Sequence, residues 1–336
     1  MTINVTTNPV PSSGSLSFST LRNILKETTS GSVKLSDYYR NGGIVPSASV
    51  NTNIPTSGAI SLSKFRGAIS KINTTITGVE LILTASNLFK NPANNTSEYG
   101  YNIRKIATIN GTVTAGGNLS VGMNVDAGSP SPIELNIVSG GIFGGRGTGG
   151  AASASGNPGS AALLLNASTK IYGSGAIRAG GGGGGGGGTG GTEGQGGANY
   201  QGRCCGWFCP NQSCGDCNRG IGSGNNAGGA GGAGGSGTGY IWNGSTLTLA
   251  STTAQGGSNP GNGGGAGGTG GSGGGWATNG QAGQTGQTGA TGPGGNCKGG
   301  TGGQAGQAGG SGGTAGTSVV NANYVVGGSY GGVSVS

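Results

Sequence analysis

The stretch GGGGGGGGG occupies residues 180–188, between Gly173-Ser174-Gly175 and Thr189-Gly190-Gly191. Glycine loses more conformational entropy on folding than any other residue, and it has no side chain to bury. The run therefore predicts neither an α-helix nor an ordinary β-strand. Contacts other than those of a side-chain core must hold this part of the chain together.

The glycines outside this run follow a pattern. Glycine supplies 87 of the 336 residues, and most of it lies beyond residue 140. Composition alone indicates disorder. However, glycine recurs at every third position in residues 280–295 and 303–312, whereas residues 227–239 and 263–275 read Gly-Gly-x with a small x. This order favours a glycine-specific fold.

A three-residue period suits extended helices of the polyproline II type, which make no internal hydrogen bonds. Such helices pack side by side when their flanks are bare, because their N–H and C=O groups then pair between neighbours. A collagen triple helix shares the period but expects abundant proline, and the chain has 11 prolines. We therefore predict packed polyglycine II helices for residues 140–336, with disorder and collagen-like or silk-like assembly as alternatives.

Composition and charge exclude several classes. Hydrophobic residues make up 31% and aromatic residues 5%, so a single large apolar core is excluded. The net charge is +8 and is concentrated in the N-terminal third, which favours an acidic partner there or a solvated surface. We expect no nucleic-acid partner, because no basic run is interleaved with aromatic residues. Without a signal peptide or a long apolar stretch, we expect synthesis in a host cytoplasm and no membrane insertion.

One short module occurs three times, at residues 13–23, 30–41 and 57–67. Each copy has a Ser-Gly turn, a short alternating strand and then a serine that could cap a helical turn. The three serines are Ser19, Ser36 and Ser63. Modules this short cannot bury a core singly. Residues 1–70 are therefore a self-contained domain or, as we favour, an attachment module, with docking residues Arg22, Arg40 and Arg66.

Residues 71–139 predict a β-rich domain. Residues 76–83, 102–109, 112–114 and 133–138 alternate or are rich in β-branched residues, and turn residues separate them. They fit a small β-domain or the first coils of a β-solenoid. The predicted fold class is thus mainly β and irregular, with N-terminal docking modules and a β-domain before the glycine-rich bundle.

Three stretches carry a resemblance to a known family: residues 140–147 (GGIFGGRG), 161–165 (AALLL) and 171–179 (IYGSGAIRA), which leads into the glycine run. With the triple module, they resemble the adhesins at the tips of long tail fibres in T-even-type bacteriophages. The resemblance implies a virion protein of the distal tail fibre. Its N-terminal part would attach to a tail-fibre or baseplate protein. Loops between polyglycine II helices would bind a bacterial surface protein or polysaccharide.

Four interruptions of the glycine pattern carry the distal aromatic and basic residues. Tryptophan, tyrosine and arginine dominate recognition hot spots. The candidate receptor-binding residues are Tyr200, Arg203, Trp207, Phe208, Arg219, Tyr240, Trp242 and Trp276. Alternatively, these aromatic rings cover the open faces of the bundle. We favour that interpretation for Trp242, and receptor contact for Trp207 and Phe208.

Five of the six cysteines lie in the longest interruption: Cys204, Cys205, Cys209, Cys214 and Cys217. The sixth, Cys297, lies in the fourth interruption. Four thiolates could bind zinc, but the spacings do not form two matched Cys-x-x-Cys pairs. Thiols on an exposed loop would also oxidise outside the cell. We therefore favour disulfides over a metal site, with the connectivity open. A cysteine loop departs from the family's general pattern, so the receptor class is not carried over.

Enzymatic activity is not expected. The chain has no histidine, its eight carboxylates are scattered, and no Gly-Lys-Ser/Thr follows the glycine run. The sequence thus predicts no catalytic residue and no cofactor. Besides an adhesin, two alternatives remain: a structural connector of the tail fibre or baseplate without receptor binding, and an ice-binding polyglycine protein. The docking modules argue against the latter.

Overall fold

A computed structural model describes residues 2–26, 32–92, 95–115, 120–195, 226–242, 246–251, 253–258, 264–292 and 301–336. Two α-helices, α1 and α2, span Phe18–Leu25 and Ala85–Leu88. Strands β1 to β13 span, in order, Thr2–Thr7, Lys71–Leu81, Leu83–Thr84, Arg104–Thr114, Met123–Val125, Ile133–Phe143, Leu163–Leu165, Thr169–Gly173, Ala176–Arg178, Gly239–Trp242, Leu247–Ala250, Val319–Val320 and Ser334–Val335. Short 3₁₀ helices span Leu35–Tyr38, Ser49–Asn53, Leu62–Phe65, Ala322–Tyr324 and Val326–Gly328. The predicted mainly β and irregular fold class is confirmed.

The three N-terminal modules fold alike. Each helical turn begins at the same position of its module, at Phe18, Leu35 and Leu62. The predicted capping serines are wrong, because each turn begins earlier and Ser19, Ser36 and Ser63 therefore lie inside it. In the first module the cap is Ser17, whose hydroxyl accepts a hydrogen bond from the Thr20 N–H at 3.1 Å.

The modules share one small apolar core. Equivalent residues Leu21, Tyr38 and Phe65 are buried there, at 0%, 5% and 0% exposure. The Tyr38 ring meets the Phe65 ring edge-on, with 6.2 Å between centroids. Hydrogen bonds link consecutive modules: the Tyr39 hydroxyl donates to the Gly58 carbonyl. The repeat therefore encodes mutual packing of the three modules.

A two-sheet β-solenoid follows, in which the chain alternates between two largely parallel sheets. One sheet has the order β1-β2-β4-β6-β9-β13, with β8 also on β6 and with β1 antiparallel to β2. The other has the order β3-β5-β7-β12. Ile76, Ile109 and Ile137 occupy one register row and are fully buried. Such stacked β-branched side chains fill the space between the two sheets and are buried there. The strands predicted at 102–109 and 112–114 are parts of the single strand β4.

The solenoid strands continue into the glycine-rich region. Residues 144–153 extend β6, residues 180–195 follow β9, and residues 154–160 and 301–316 precede β7 and β12. The last strands return to the solenoid core through Val319 and Val333. The predicted division into residues 1–70, 71–139 and 140–336 stays a prediction.

In the described part of the chain, six segments surround residues 180–194 in what we call the glycine bundle. They are residues 144–153, 154–160, 229–238, 265–274, 278–290 and 301–316. The Gly184, Gly185 and Gly186 N–H groups donate to three of them, with N···O distances of 2.7, 2.8 and 2.8 Å. The carbonyls of the same glycines accept from the other three, at 2.9, 2.7 and 2.7 Å. The pattern repeats every three residues, which is the period predicted from the sequence.

Steric contacts explain why glycine fills the centre. A Cβ added to Gly184, Gly185 or Gly186 would lie 1.9, 1.9 or 1.6 Å from a carbonyl oxygen of a different segment. At the perimeter, Gly283 faces the centre, where a Cβ would lie 2.1 Å from the Gly186 oxygen, whereas the next residue, Gln284, is exposed. A central segment, which has neighbouring segments on all sides, therefore needs glycine at every position. A perimeter segment needs glycine only at the positions that face another segment.

Candidate functional site

The end of the glycine bundle opposite the solenoid, here called the far end, is the first candidate. The Glu193 N–H donates to the Asn226 carbonyl at 3.0 Å, and the Thr301 N–H donates to the Gln195 carbonyl at 2.9 Å. The Gly292 N–H donates to the Thr301 carbonyl at 2.9 Å. Residues 195, 226, 292 and 301 flank two of the predicted loops, at residues 200–220 and 293–298. Both loops therefore start and finish at the far end.

The far-end loops themselves lie outside the described residues. This applies to Tyr200, Arg203, Trp207, Phe208 and Arg219, and to all six cysteines: Cys204, Cys205, Cys209, Cys214, Cys217 and Cys297. The side chain of Trp242 also lies outside the described part. Receptor contact, disulfide formation and the zinc alternative therefore stay predictions for these residues.

Two of the four interruptions lie at the opposite, solenoid end. Tyr240 and Trp276 pack there against Phe143, the last residue of β6, with ring centroids 5.0 and 5.4 Å from the phenylalanine ring. Phe143 is 7% exposed, whereas Tyr240 and Trp276 are partly exposed. We call these three rings the junction cluster. The receptor role of Tyr240 and Trp276 stays a prediction, but their position separates them from the far-end loops.

Two arginines that the sequence analysis did not single out lie beside the junction cluster. Arg178 is the register partner of Phe143 on the neighbouring parallel strand. Arg146 lies against Gly239, where an added Cβ would meet the Arg146 Cβ at 2.8 Å. The buried atoms Nη1 of Arg146 and Nε of Arg178 have no hydrogen-bond partner among the described residues. Burial also lowers the pKa of Arg146. For Arg146, the sequence signal was an arginine within the glycine-rich residues 140–147, where the neighbouring residues are glycines.

The predicted docking arginines are partly buried. Arg66 donates to the carbonyls of Pro11 and Gly14, at 3.2 and 2.6 Å, and thereby ties the third module to the first. The exposed apolar side chains of the modules include Phe18 (41%) and Leu35 (54%). Together with Arg22, these two side chains line a groove of about 730 Å³ between the first two modules. Docking by Arg22, Arg40 and Arg66 stays a prediction, and the groove is a feature that sequence reasoning missed.

Buried charges in the solenoid are structural. The Lys105 ammonium donates to the Tyr101 and Ile103 carbonyls and to the Ser131 hydroxyl, at 2.6, 3.2 and 3.0 Å. Burial lowers the pKa of Lys105 to about 8. Glu134 pairs with Arg104 at 2.6 Å, which lowers the pKa of Glu134. Within the described ranges, no group of three His, Cys, Asp or Glu could hold a metal ion, and no helix is long and apolar enough to cross a membrane.

Comparisons with known proteins give one match to report. No protein-family model and no curated protein matches the chain. Among solved structures, the chain is similar to the gp37-gp38 adhesin tip complex of the bacteriophage S16 long tail fibre. The TM-score is 0.38 and the sequence identity 19%, over 83% of this chain and 84% of that chain.

Proposed function

We propose that this chain is a bacteriophage tail-fibre adhesin, which docks on the virion by its N-terminal modules and binds a host surface receptor through the far-end loops. The far end is the observation that carries the proposal. There the bundle brings together the ends of the aromatic, cysteine-containing segment and of the Cys297 segment. A rigid scaffold that presents irregular loops is a common way to build a binding surface.

The N-terminal modules support the docking half. The exposed apolar groove at Phe18 and Leu35 lies in a region whose sequence, residues 1–70, carries six basic and two acidic residues. We infer that it docks an acidic tail-fibre or baseplate protein, with apolar anchors in the groove and basic residues around them. Docking there would leave the far end free to meet a cell, so the chain would belong to the distal tail fibre.

A binding function is proposed rather than catalysis. Two of the buried ionisable groups, Glu98 and Lys105, belong to structural hydrogen-bond networks. Ser49 donates two hydrogen bonds to the Glu98 carboxylate, one from its N–H at 3.0 Å and one from its hydroxyl. The proposed function needs no cofactor.

The experiment is binding of the full-length chain to host bacteria and to a receptor-deficient strain. We expect saturable, receptor-dependent binding that falls at least about tenfold in Trp207→Ala, because tryptophan is enriched among hot-spot residues. Tyr324→Ala is the matched control, since Tyr324 is 39% exposed on the solenoid. Circular dichroism of both variants establishes that they fold.

A structural connector is the second candidate, and the continuous bundle would stiffen such a part. A folded chain that binds no host bacteria, but still binds a tail-fibre protein through the modules, would favour the connector. Equal loss of cell binding in Trp207→Ala and Tyr324→Ala would reject the far end as the receptor-binding surface.

A further inference from the structure

The junction cluster lies beside two arginines, each with a buried nitrogen that has no hydrogen-bond partner among the described residues. The Tyr240 and Trp276 ring centroids lie 6.0 Å apart, and both rings also contact the nearly buried Phe143. The inner faces of the Tyr240 and Trp276 rings cover Phe143. Their outer surfaces are partly exposed to solvent, and such aromatic surfaces can stack on the apolar face of a ligand.

Arg178 shares a sheet face with Phe143. Register partners on adjacent parallel strands point their side chains to the same side. The turn that carries Trp276 is fixed there too, because the Ala277 N–H donates to the Ala179 carbonyl at 3.1 Å. Arg178 is thus placed next to the junction cluster by two backbone constraints. Its buried Nε has no hydrogen-bond partner within the described ranges.

Arg146 is the second arginine. Its backbone and Cβ lie against Gly239, and the preceding residue, Gly145, pairs with Tyr240. The Nη1 of Arg146 is likewise buried and without a partner among the described residues. A buried donor without an acceptor costs free energy, and more so when it is charged. Among the described carboxylates, Glu134 pairs with Arg104, Glu193 binds Asn226 at the far end, and an oxygen of Ser336 accepts from the Ala179 N–H at 2.9 Å, one residue from Arg178. No described group bonds to Arg146 Nη1 or Arg178 Nε, so an anion from outside the chain would satisfy both donors.

We propose that the junction cluster, Arg146 and Arg178 form a binding site for an acidic sugar, namely a hexuronic acid residue of an anionic surface polysaccharide. The apolar C–H face of the pyranose ring stacks on Tyr240 and Trp276. Its carboxylate accepts charge-assisted hydrogen bonds from the guanidinium groups, whose planar fork matches that geometry. This inference rests on the proposed function and deepens it, by naming a ligand class for a site distant from the far-end loops.

The test uses the full-length protein and two matched probes, a galacturonic acid trimer and a neutral galactose trimer. Calorimetry or ligand-observed NMR measures their affinities. We expect the acidic trimer to bind at least about tenfold more tightly, the size of one lost charged hydrogen bond. Arg178→Gln is expected to abolish this preference, as is Arg146→Gln.

Lys170→Gln is the matched control. Lys170 is exposed on β8 of the same sheet, and its substitution removes the same charge while leaving the junction cluster intact. Equal affinity for both trimers, or no binding of either, would overturn the inference. So would an equal loss in Lys170→Gln and Arg178→Gln, since that result would indicate a diffuse charge effect.

Whole-cell binding separates this inference from the proposed function. If Arg178→Gln loses the acidic trimer yet still binds host bacteria through the far end, both proposals hold. If the wild-type chain binds bacteria but no acidic trimer, this inference fails and the adhesin proposal stands. Binding of the trimer without receptor-dependent cell binding would contradict the adhesin proposal alone.

Discussion

The chain runs directly from the solenoid strands into the glycine bundle, but the two regions exclude water from their interiors by different means: side chains in the solenoid and backbone in the bundle. Between the solenoid sheets, Ile76, Ile109 and Ile137 fill the space with apolar volume. In the bundle, the equivalent space is filled by backbone, and carbonyl oxygens lie 1.9 Å from where a Cβ of Gly184 or Gly185 would be. The solenoid is thus sensitive to the loss of side-chain volume, and the bundle to its addition.

The comparison also concerns hydrogen bonds. A helix with three residues per turn presents three N–H and three C=O groups in six directions, and residues 180–194 use them on six segments of the described chain. Each bond contributes about 1 kcal/mol net. Because glycine loses the most entropy on folding, the bundle depends on satisfying nearly all of these groups. Substitutions can separate the two modes of packing.

The largest expected effect is that of Gly184→Ala. The new methyl would overlap the Gly271 carbonyl, whose oxygen and carbon lie 1.9 and 2.5 Å from the added Cβ. Both groups are backbone, so no side-chain rotation relieves the overlap. We expect the free energy of unfolding to fall by about 3 kcal/mol or more. Urea denaturation measures it.

Gly302→Ala is the control for that substitution. A Cβ at Gly302 meets no described atom within 4 Å, so we expect no loss and a gain of up to about 0.5 kcal/mol from the stiffer unfolded chain. If Gly184→Ala were as stable as Gly302→Ala, the packed arrangement around residues 180–194 would be wrong.

Next in size is Ile109→Ala in the solenoid. Ile109 is fully buried, and the truncation removes apolar contacts and leaves a cavity. We expect a loss of about 3 kcal/mol, from the 2–5 kcal/mol typical of such truncations. Thr108→Ala, one residue away on the outer face, is the control and should cost well under 1 kcal/mol. A similar loss in both variants would contradict the assignment of the inner face.

The smallest expected effect is the pH dependence contributed by Lys105. Its pKa falls to about 8 in the folded chain, from 10.5. Above pH 8 the unfolded state therefore binds more protons than the folded state, and the free energy of unfolding rises with pH. We expect a slope of at most about 1.4 kcal/mol per pH unit between pH 8 and 10.

Lys105→Met should flatten this slope, and urea denaturation across the pH range measures it. Burial raises the pKa of Tyr99, so Tyr99 opposes the trend above pH 10. An unchanged slope in Lys105→Met would show that other groups produce the pH dependence.

Sequence patterns predicted the local backbone geometry better than they predicted which residues are in contact. The period of three led to the bundle, and the alternation in residues 133–138 led to β6. The predicted capping serines were wrong because each helical turn begins at the apolar residue before the serine, so the N-cap positions fall on Ser17, Lys34 and Ser61. Phe18 and Leu35 occupy the same position of their modules, but the equivalent Leu62 is partly buried, so the repeat alone did not indicate the groove. Arg146 and Arg178 stood out only as arginines among small residues, and their surroundings could not be predicted, because these come from strands and turns distant in the sequence.

One row of the bundle shows what each level determines. Gly306 and Gly309 are one period apart in the same segment. A Cβ at Gly306 or Gly309 would lie 2.1 or 2.2 Å from a carbonyl oxygen of residues 278–290, whereas Gln307 is exposed and accepts a hydrogen bond from Ser153 at 3.3 Å. The sequence by itself determined that glycine is required every third residue, because backbone sterics act locally. Only the tertiary structure decided which segment each glycine faces, and that Tyr240 and Trp276 lie at the solenoid end. These facts depend on how the chain reverses direction between segments, and no local pattern encodes that.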